Sequence, residues 1–366
     1  MRYAVIIAGG SGTRLWPMST RDLPKQLIPL FNGKSLLELA VERLLKLVDA
    51  DRLYICAGES MKDAMLSRIP SLSADRFIAE PVGRDTLNAV ALSCAVLQEV
   101  DPEATVGIFT ADQLIEPVDT FCEVASAGYD TAEAADDLLV TFGVQPTHPA
   151  TGYGYLELTS QLPESDRARN VGTFKEKPDL ATAESYLQAG ADRFLWNSGM
   201  FVWQAKTLLN ATKQFAPDNH TEILKLAQTW NTPDWSAKAA EIYPNLKKIS
   251  IDFAVMEPAS EADNFRVAAL PMPVRWLDVG SWPSYQQTLD PDDHENTSSG
   301  CKHLLLDCKN TLAASDDPNH LIAAIGVKDL IIIRTDKATL VCRAEDAERI
   351  KQLHAAIGTE HGDSYL

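Results

Sequence analysis

The sequence of 366 residues is poor in basic residues, and that deficit excludes two broad classes of protein. Its 33 Lys and Arg face 51 Asp and Glu, which gives a formal net charge of -18. A general nucleic-acid binder needs a basic face that releases counterions, so we expect no nucleic-acid partner. The same acidic balance argues against docking on an anionic membrane surface.

Long apolar runs are missing as well. The first run, Tyr3–Ala8, is too short for the apolar region of a signal peptide and ends in glycines. No stretch reaches the roughly 20 apolar residues that cross a bilayer. We therefore expect no membrane partner.

Cysteine and histidine patterns of the usual kinds are also lacking. The six cysteines form no C-x-x-C pair, which favours free thiols in a reducing cytoplasm. The seven histidines form no H-E-x-x-H motif and no cluster with cysteine, which argues against a zinc site. The expected location is the cytoplasm.

The first 145 residues alternate between strand and helix patterns. Tyr3–Ala8 is a continuous apolar run typical of a strand buried on both faces. Ser35–Val48 has leucines and valines at three- and four-residue spacings, which predicts an amphipathic helix. Further predicted elements are the strands Leu53–Ala57, Thr105–Thr110 and Leu138–Val144 and the helix Asp85–Val100, which follows the segment Phe77–Ala79 and a turn. This alternation predicts parallel crossovers and a helix-covered sheet, with ligands beyond the carboxyl ends of its strands.

The remaining chain is divided by a polar segment, Pro291–Ser299. Before it, residues 145–290 are rich in Gly, Trp and Pro, which suggests loops and short strands that close over a site. After it come the short β-rich stretches Leu304–Leu306, Thr311–Ala314, Leu321–Val327, Leu330–Arg334 and Thr339–Cys342, and then a helix from about Ala344 to Ile357. We predict one large domain over residues 1–290 and a small β-rich domain over residues 291–366.

The first strand runs directly into a glycine-rich segment, Gly9–Arg14. Glycines allow a close backbone approach to phosphate, and successive N–H groups form an anion-binding concavity. A Walker loop fails because Gly12 is not followed by Lys, and a dinucleotide fingerprint fails because Leu15 replaces its third glycine. The segment fits the pattern G-G-x-G-x-R-L-x-P followed by Pro24-Lys25. The structural alternative is a simple turn between strand and helix.

With these motifs, the sequence resembles the sugar-nucleotide pyrophosphorylases and, among them, the mannose-1-phosphate guanylyltransferases. The segments that carry the resemblance follow the family's order: Gly9–Pro17, Glu80–Thr86, Thr151–Tyr155, Phe174–Pro178, Trp196–Phe201, Ser250–Glu257 and Trp276–Trp282. The resemblance implies a Rossmann-like nucleotide-diphospho-sugar transferase domain with a mixed, mainly parallel sheet. It also implies a small C-terminal domain that is similar to a left-handed β-helix.

The resemblance implies a nucleotidyltransferase that makes GDP-mannose and pyrophosphate from GTP and mannose 1-phosphate with Mg²⁺, and it implies a homodimer. Rival enzymes of the same kind would use a glucose- or heptose-type sugar 1-phosphate, or another nucleoside triphosphate. A rival of a different class is an inactive homologue that binds GDP-mannose and regulates a partner. Such a homologue should lack Lys25, Asp112 or Asp278, and all three are present.

The site residues are likewise implied by the resemblance, position by position. The catalytic residues would be Arg14, Lys25, Asp112 and Asp278. The nucleotide would be bound by Gly9, Gly10, Gly12, Thr13, Arg14, Lys25, Glu80, Arg84, Asp85 and Thr86. The sugar phosphate would be bound by Gly152, Glu176, Lys177, Asn197 and Asp252.

In this family the aspartates that match Asp112 and Asp278 hold Mg²⁺, an ion that usually takes one or two carboxylates together with phosphate and water oxygens. The alternatives are a helix N-cap for Asp112 and a turn-forming role for Asp278. Arg14 and Lys25 would neutralise charge on the departing pyrophosphate.

Several positions leave the interpretation open. The family usually has Asn where Asp85 stands, and commonly has His where Gln113 stands. Asp85 could simply cap the helix that follows it. Asp252 could either contact the sugar or support another residue that does. Because Pro178 follows Lys177, we expect an extended backbone at Lys177.

Overall fold

The computed structural model describes residues 1–10 and 12–366, so Ser11 of the glycine-rich segment lies outside the described residues. The chain forms two compact units. The first contains residues 1–9, 41–110 and 115–275, and the second contains residues 10–40, 111–114 and 276–366. Each unit is therefore assembled from separate stretches of chain. This division differs from the boundary proposed at residue 290, which stays a prediction.

Nine of the first eleven strands form the sheet of the first unit. The strands are β1 (Arg2–Ile7), β2 (Leu53–Gly58), β3 (Phe77–Glu80), β4 (Thr105–Thr110), β5 (Gln113–Glu116), β6 (Leu138–Val144), β7 (Tyr155–Gln161), β8 (Arg169–Lys175), β9 (Phe194–Gln204), β10 (Arg266–Pro271) and β11 (Arg275–Asp278). The order in the sheet is β3-β2-β1-β4-β9-β6-β10-β8-β7. Strands β8 and β9 run opposite to the others, which confirms the mixed, mainly parallel sheet.

Strand β1 lies inside this sheet, in parallel pairing with β2 on one side and β4 on the other. Ala4, Val5 and Ile6 are fully buried, as expected for an apolar run that is covered on both faces. The carboxyl end of β1 leads into the glycine-rich segment, and the carboxyl end of β4 leads to Asp112.

The helices are α1 (Leu36–Leu44), α2 (Lys62–Arg68), α3 (Thr86–Val100), α4 (Val118–Glu133), α5 (Leu180–Ala189), α6 (Ala205–Phe215), α7 (Pro217–Ala227), α8 (Trp235–Ile242), α9 (Glu257–Ser260), α10 (Trp282–Gln286) and α11 (Ile350–His361). Helix α1 ends four residues earlier than the predicted Val48. Helix α3 is buried continuously from Leu87 to Leu97 and packs against α6 and α7, as a helix that is apolar around its circumference should. None of the described helices is long and apolar enough to span a membrane.

The prediction of loops and short strands for residues 145–290 is wrong. This section contains β9, an eleven-residue strand inside the sheet, and the helices α5 to α8. Strand β9 was hard to recognise because Asn197 and Ser198 interrupt its apolar run. Both polar residues are buried and form hydrogen bonds inside the unit, so the strand accommodates them although they break its apolar pattern.

Residues 297–343 of the second unit form the short strands β12 (Thr297–Ser299), β13 (Lys302–Leu306), β14 (Leu312–Ser315), β15 (Leu321–Ile325), β16 (Leu330–Arg334) and β17 (Thr339–Arg343). They alternate between two sheets, β12-β14-β16-β17 and β13-β15. All these pairings are parallel except β16 with β17. Regular alternation of parallel strands between two sheets is a β-helix-like arrangement, which confirms the predicted class, while its left-handedness stays a prediction.

The core of the second unit joins the β-helix to the segment after the glycines. Leu312 and Ile331 of the β-helix belong to one buried cluster with Leu15, Trp16 and Trp282. The glycine-rich segment is therefore anchored, through Leu15 and Trp16, in the same core as the β-rich tail.

Candidate active site

Gly12 and Lys25 occupy the same small space in the second unit. Gly12 has φ 63°, in the left-handed region, and lies at the N-cap of a 3₁₀ turn, Thr13–Leu15. A Cβ added to Gly12 would lie 2.6 Å from the Cβ of Lys25 and 2.8 Å from the Oγ of Ser19. Only glycine satisfies both the backbone and the space at this position. The loop thereby lets the Lys25 side chain lie directly over its backbone.

Lys25 reaches from this loop to Asp112. The lysine begins a 3₁₀ turn, Lys25–Leu27, and its Nζ lies 2.7 Å from Oδ2 of Asp112. The lysine side chain is largely buried, whereas that of Asp112 is partly exposed. The backbone carbonyl of Asp112 accepts a hydrogen bond from the N–H of Val279 at 2.9 Å. The helix-cap alternative for Asp112 is not observed, since α4 begins at Val118 after Pro117 at its N-cap.

Asp278 completes this charged cluster. Burial, followed by the charge of Asp112, raises the pKa of Asp278 to about 6, against the opposing effects of Lys25 and Arg14. A Cβ added to Gly280 would lie 3.4 Å from Nη2 of Arg14 and 3.6 Å from Oδ1 of Asp278. The four predicted catalytic residues therefore form one electrostatic cluster of two carboxylates and two cations.

Among the predicted nucleotide-binding residues, Glu80 stands out because it is a buried carboxylate at the end of β3. The Oη of Tyr243 donates a hydrogen bond to Oε1 of Glu80 at 2.5 Å. Burial raises the pKa of Glu80, and this hydrogen bond opposes the rise. Arg84 donates to the carbonyl of Pro244, so the segment that contains Glu80 and Arg84 is attached to residues 243–244. Tyr243 carries no sequence signal that would have assigned it to the site.

Asp85 acts as a helix cap, the alternative that the sequence left open. Its φ is 65°, and its Oδ1 accepts a hydrogen bond from the N–H of Thr86 at 2.9 Å. The hydroxyl of Thr86 accepts a hydrogen bond from the N–H of Ile251 at 2.9 Å. The start of α3 is thus fixed both by its own cap and by a neighbouring segment.

The predicted sugar-phosphate residues Asn197, Asp252, Glu176 and Lys177 meet in the first unit. The Nδ2 of Asn197 donates to Oδ1 of Asp252 at 2.9 Å, while its Oδ1 accepts from the hydroxyl of Thr141 at 2.9 Å. Asp252 begins a π-helix, Asp252–Met256. Because Asp252 binds Asn197 directly, it supports that side chain, which is one of the two roles left open for it.

Glu176 and Lys177 form an ion pair within this group. The carboxylate is buried and the lysine side chain is about half exposed. The expected extended backbone at Lys177 is wrong, because its φ is 46°. This left-handed turn lets the ammonium of Lys177 come back onto the carboxylate of the preceding residue.

Two glycines of the Thr151–Tyr155 motif differ in their surroundings. A Cβ added to Gly152 would meet nothing within 4 Å, so the predicted residue lies in open space. A Cβ added to Gly154 would lie 2.5 Å from Oε2 of Glu176, and the carbonyl of Gly154 accepts from the N–H of Asn197 at 2.8 Å. Gly154 is therefore the glycine of this motif that packs against Glu176 and Asn197. The sequence contained this signal, since Gly154 belongs to the same motif.

The ionisation of Asp252 provides a pH test of this group. Burial, followed by the charge of Glu176, raises the pKa of Asp252 from 3.8 to about 7. Between those values the folded carboxyl holds a proton that the unfolded chain releases. The free energy of unfolding therefore falls as the pH rises from about 4 to about 7 and then levels off. For Asp252→Asn we expect the gain in stability over the unchanged protein to grow across this interval and to stay constant above it.

Urea unfolding of both proteins at intervals of one pH unit measures this difference. Near pH 4 the folded Asp252 carboxyl is protonated and, like the amide of the variant, carries no charge. The stability difference measured there is therefore the baseline for the values at higher pH. A stability difference that is independent of pH would show that Asp252 is ionised throughout.

Comparisons with known proteins were made at the level of sequence family, sequence relatives and fold. The family model described as nucleotidyl transferase matches residues 3–294, and the model described as a mannose-phosphate isomerase/GMP-like β-helix domain matches residues 301–355. A mannose-1-phosphate guanylyltransferase of Escherichia coli is 32% identical over 95% of this chain and 74% of its own length. A protein of the same name from Salmonella montevideo is 34% identical over 99% of this chain and 75% of its own length.

Solved structures show the same similarity. A Thermus thermophilus structure described as mannose-1-phosphate geranyltransferase has a TM-score of 0.84 and 28% identity, covering 97% of this chain and 99% of that one. A Helicobacter pylori structure described as mannose-6-phosphate isomerase has a TM-score of 0.60 and 27% identity, covering 75% of this chain and 100% of that one.

Proposed function

The chain belongs to the nucleotidyl transferase family, and from this membership we propose that it transfers GMP from GTP to α-D-mannose 1-phosphate. The products are GDP-mannose and pyrophosphate. The observation that carries the proposal is the cluster in which Lys25 binds Asp112 beside a partly buried Asp278. The relatives' names support the choice of guanine and mannose.

In the proposed reaction, an oxygen of the sugar phosphate forms a bond to the α-phosphorus of GTP while the bond to the bridging oxygen of the β-phosphate breaks. The attacking oxygen is already ionised at neutral pH, so no protein nucleophile is required. Both reactants are anions, and the main tasks are to position them and to neutralise charge. Lys25 and Arg14 supply that positive charge, and the backbone N–H groups of the glycine-rich segment can donate to phosphate oxygens.

The donor set fits a magnesium ion. Asp112 and Asp278 are carboxylates of like charge close enough for one to raise the pKa of the other, and a divalent cation relieves that repulsion. Among the residues that the structure describes, no group of three or more His, Cys, Asp or Glu side chains could hold a metal ion. Two carboxylates are the number that Mg²⁺ commonly takes when substrate phosphates and water complete its shell. When bound, Mg²⁺ would stabilise charge that develops on the phosphate oxygens.

The sugar side of the proposed reaction depends on the group around Asn197. Glu176 would accept hydrogen bonds from sugar hydroxyls, and Asn197 would contact the sugar through its amide. The exposed ammonium of Lys177 would bind the sugar phosphate. Glu80 would accept from the N–H groups of guanine, for which a buried carboxylate is a suitable partner.

We also propose a cytoplasmic location, which the six free cysteines support. A glucose- or heptose-type sugar phosphate, another nucleoside triphosphate, and a regulatory role without catalysis are the alternatives. Turnover measured with four nucleoside triphosphates and several sugar 1-phosphates distinguishes them. Preferred use of UTP or dTTP would overturn the choice of GTP, and no turnover with any pair would favour the regulatory role.

The metal assignment predicts a specific loss in Asp278→Asn. We expect turnover to fall by about 100-fold or more, since one carboxylate of a charge-stabilising pair is lost. The fold should remain intact, because the amide has the same shape as the carboxyl. The measurement is the rate of GDP-mannose formation against Mg²⁺ concentration, with circular dichroism to check folding. Asp336→Asn, at an exposed position of the same unit, is the matched control. Near-normal turnover in Asp278→Asn would refute the metal role.

Lys177→Ala tests the sugar-phosphate assignment. Loss of a charge-assisted hydrogen bond to the phosphate should raise the KM for mannose 1-phosphate by roughly 10-fold or more, with little change in the KM for GTP. Lys175→Ala is the matched control, since Lys175 is similarly exposed and pairs with Glu257 at 3.1 Å. Steady-state kinetics with each substrate varied in turn make the comparison. An effect confined to the KM for GTP would contradict the placement of Lys177.

The homodimer is also a proposal, supported by one face of the β13–β15 sheet. Leu304, Leu306, Leu321 and Ile325 are each more than half exposed on this face. In the parallel register Leu306 lies opposite Ile325, so these side chains form one strip. Contiguous exposed apolar surface on ordered strands is typical of an interface. Pairing the same strip from two copies about a two-fold axis would bury it on both.

Leu304→Glu should therefore separate the dimer. We expect light scattering after gel filtration to give twice the monomer mass of 40.1 kDa for the unchanged protein and the monomer mass for the variant. Leu353→Glu places the same charge at an exposed leucine of α11 and is the control. A monomeric unchanged protein, or a variant that stays dimeric, would refute this interface.

A further inference from the structure

Arg14 and Arg21 are each paired with an acidic residue that is more than 300 residues later in the chain. Nη1 of Arg14 lies 2.9 Å from Oε1 of Glu348, and Nη1 of Arg21 lies 2.5 Å from Oδ2 of Asp363. Neither acid belongs to a motif that the sequence singled out. The proposed phosphate-binding segment is therefore tied to residues 344–366 through its own cations.

Trp16 provides a third connection, and it is less exposed than the ion pairs. The Nε1 of Trp16 donates to the carbonyl of Tyr365 at 2.7 Å. The carbonyl of Trp16 in turn accepts from Nε1 of Trp282 at 2.9 Å. Trp16 itself is buried. Its side chain and backbone are thus held from two directions, which fixes the segment that carries Arg14.

The two terminal nitrogens of Arg14 face different partners. Nη1 contacts both carboxylate oxygens of Glu348, at 2.9 and 3.2 Å. Nη2 faces Gly280, where an added Cβ would lie 3.4 Å away. The same added Cβ would lie 3.6 Å from Oδ1 of Asp278, two residues earlier in the chain. Because a guanidinium is planar and rigid, a contact that fixes Nη1 also fixes the direction of Nη2.

The strength of the pair suits an orienting role. The side chains of Arg14 and Glu348 are both substantially exposed. Exposed ion pairs contribute little to stability, because water and salt screen them. Glu348 therefore adds little to the fold, but it restricts the directions in which a long and otherwise mobile cation points.

We propose that Glu348 is a positioning residue that orients Arg14 toward the triphosphate, so that the β-rich tail contributes to the active site. The triphosphate part of this inference rests on the proposed function. Glu348 does not touch substrate in this arrangement and acts through the arginine. The competing possibility is that Glu348 occupies Arg14 and must be displaced by phosphate. In that case removal of the Glu348 carboxylate would lower the KM for GTP instead of raising it.

Glu348→Ala and Glu348→Gln test the proposal against Glu345→Ala. Glu345 lies in the same 3₁₀ helix, is similarly exposed and pairs with Arg343 at 3.2 Å, so it is a matched control. We expect Glu348→Ala to raise the KM for GTP by about two- to fivefold, with kcat within about twofold, as suits an exposed pair. Glu348→Gln should show a smaller rise, because its amide oxygen can still accept from Arg14. Glu345→Ala should match the unchanged protein.

A KM that is unchanged or lowered in Glu348→Ala would overturn the proposal, and a lowered value in both variants would identify competition instead. NMR relaxation of the Nε–Hε group of Arg14 in the ligand-free protein reports the mobility of that side chain and is independent of turnover. Arg14 should be more mobile in Glu348→Ala than in Glu345→Ala, and equal mobility would refute the contact's orienting role. If the unchanged protein used no nucleoside triphosphate, the proposed function would fail, while the relaxation measurement would still decide the role of Glu348.

Discussion

Repulsion between two carboxylates is the constraint around which the charged cluster of the second unit is organised. Asp112 and Asp278 are brought together by a backbone hydrogen bond between Asp112 and Val279, and burial together with the charge of Asp112 makes the charge of Asp278 costly. Lys25 offsets part of that cost through its direct contact with Asp112. The glycine at position 12 is needed because the stem of Lys25 occupies the space of a side chain there. Placing Lys25 beside Asp112 therefore requires a glycine at position 12 of the loop.

In the first unit, buried polar side chains are also grouped closely, but there the amide of Asn197 and the hydroxyl of Thr141 supply the hydrogen bonds. Asn197 lies within a buried strand and satisfies both ends of its amide with Thr141 and Asp252. Its neighbourhood holds two acids, Glu176 and Asp252, and burial together with the charge of Glu176 raises the pKa of Asp252 to about 7, so that this carboxyl is partly protonated near neutral pH. Fully bonded polar networks of this kind are rigid, which suits a group proposed to distinguish one sugar from another.

The sequence was informative where one local signal determined the structure. The apolar run of β1 and the spacing of the glycine-rich segment led directly to a buried strand and its loop, and the β-rich tail was found from its short, closely spaced strands. It failed at β9, where buried polar residues break the apolar pattern, and at Lys177, where an ion pair accompanies a backbone that the following proline disfavours. Tyr243 and Glu348 could not be predicted, since each is linked to the site only through contacts between residues far apart in sequence.

The shared core around Leu15 and Trp16 has a consequence for how this architecture can change. Those side chains pack with Leu312 and Ile331, so the β-helix supplies the apolar surroundings of the segment that carries Arg14. The two regions are separated by nearly the whole chain, yet neither can be exchanged for a foreign module without exposing apolar surface of the other. A recombination point at residue 290 would look natural in the sequence but would cut through a single folding core. Substitutions in the β-helix and in the glycine-rich segment should therefore be constrained jointly, as neighbours are in any close-packed interior.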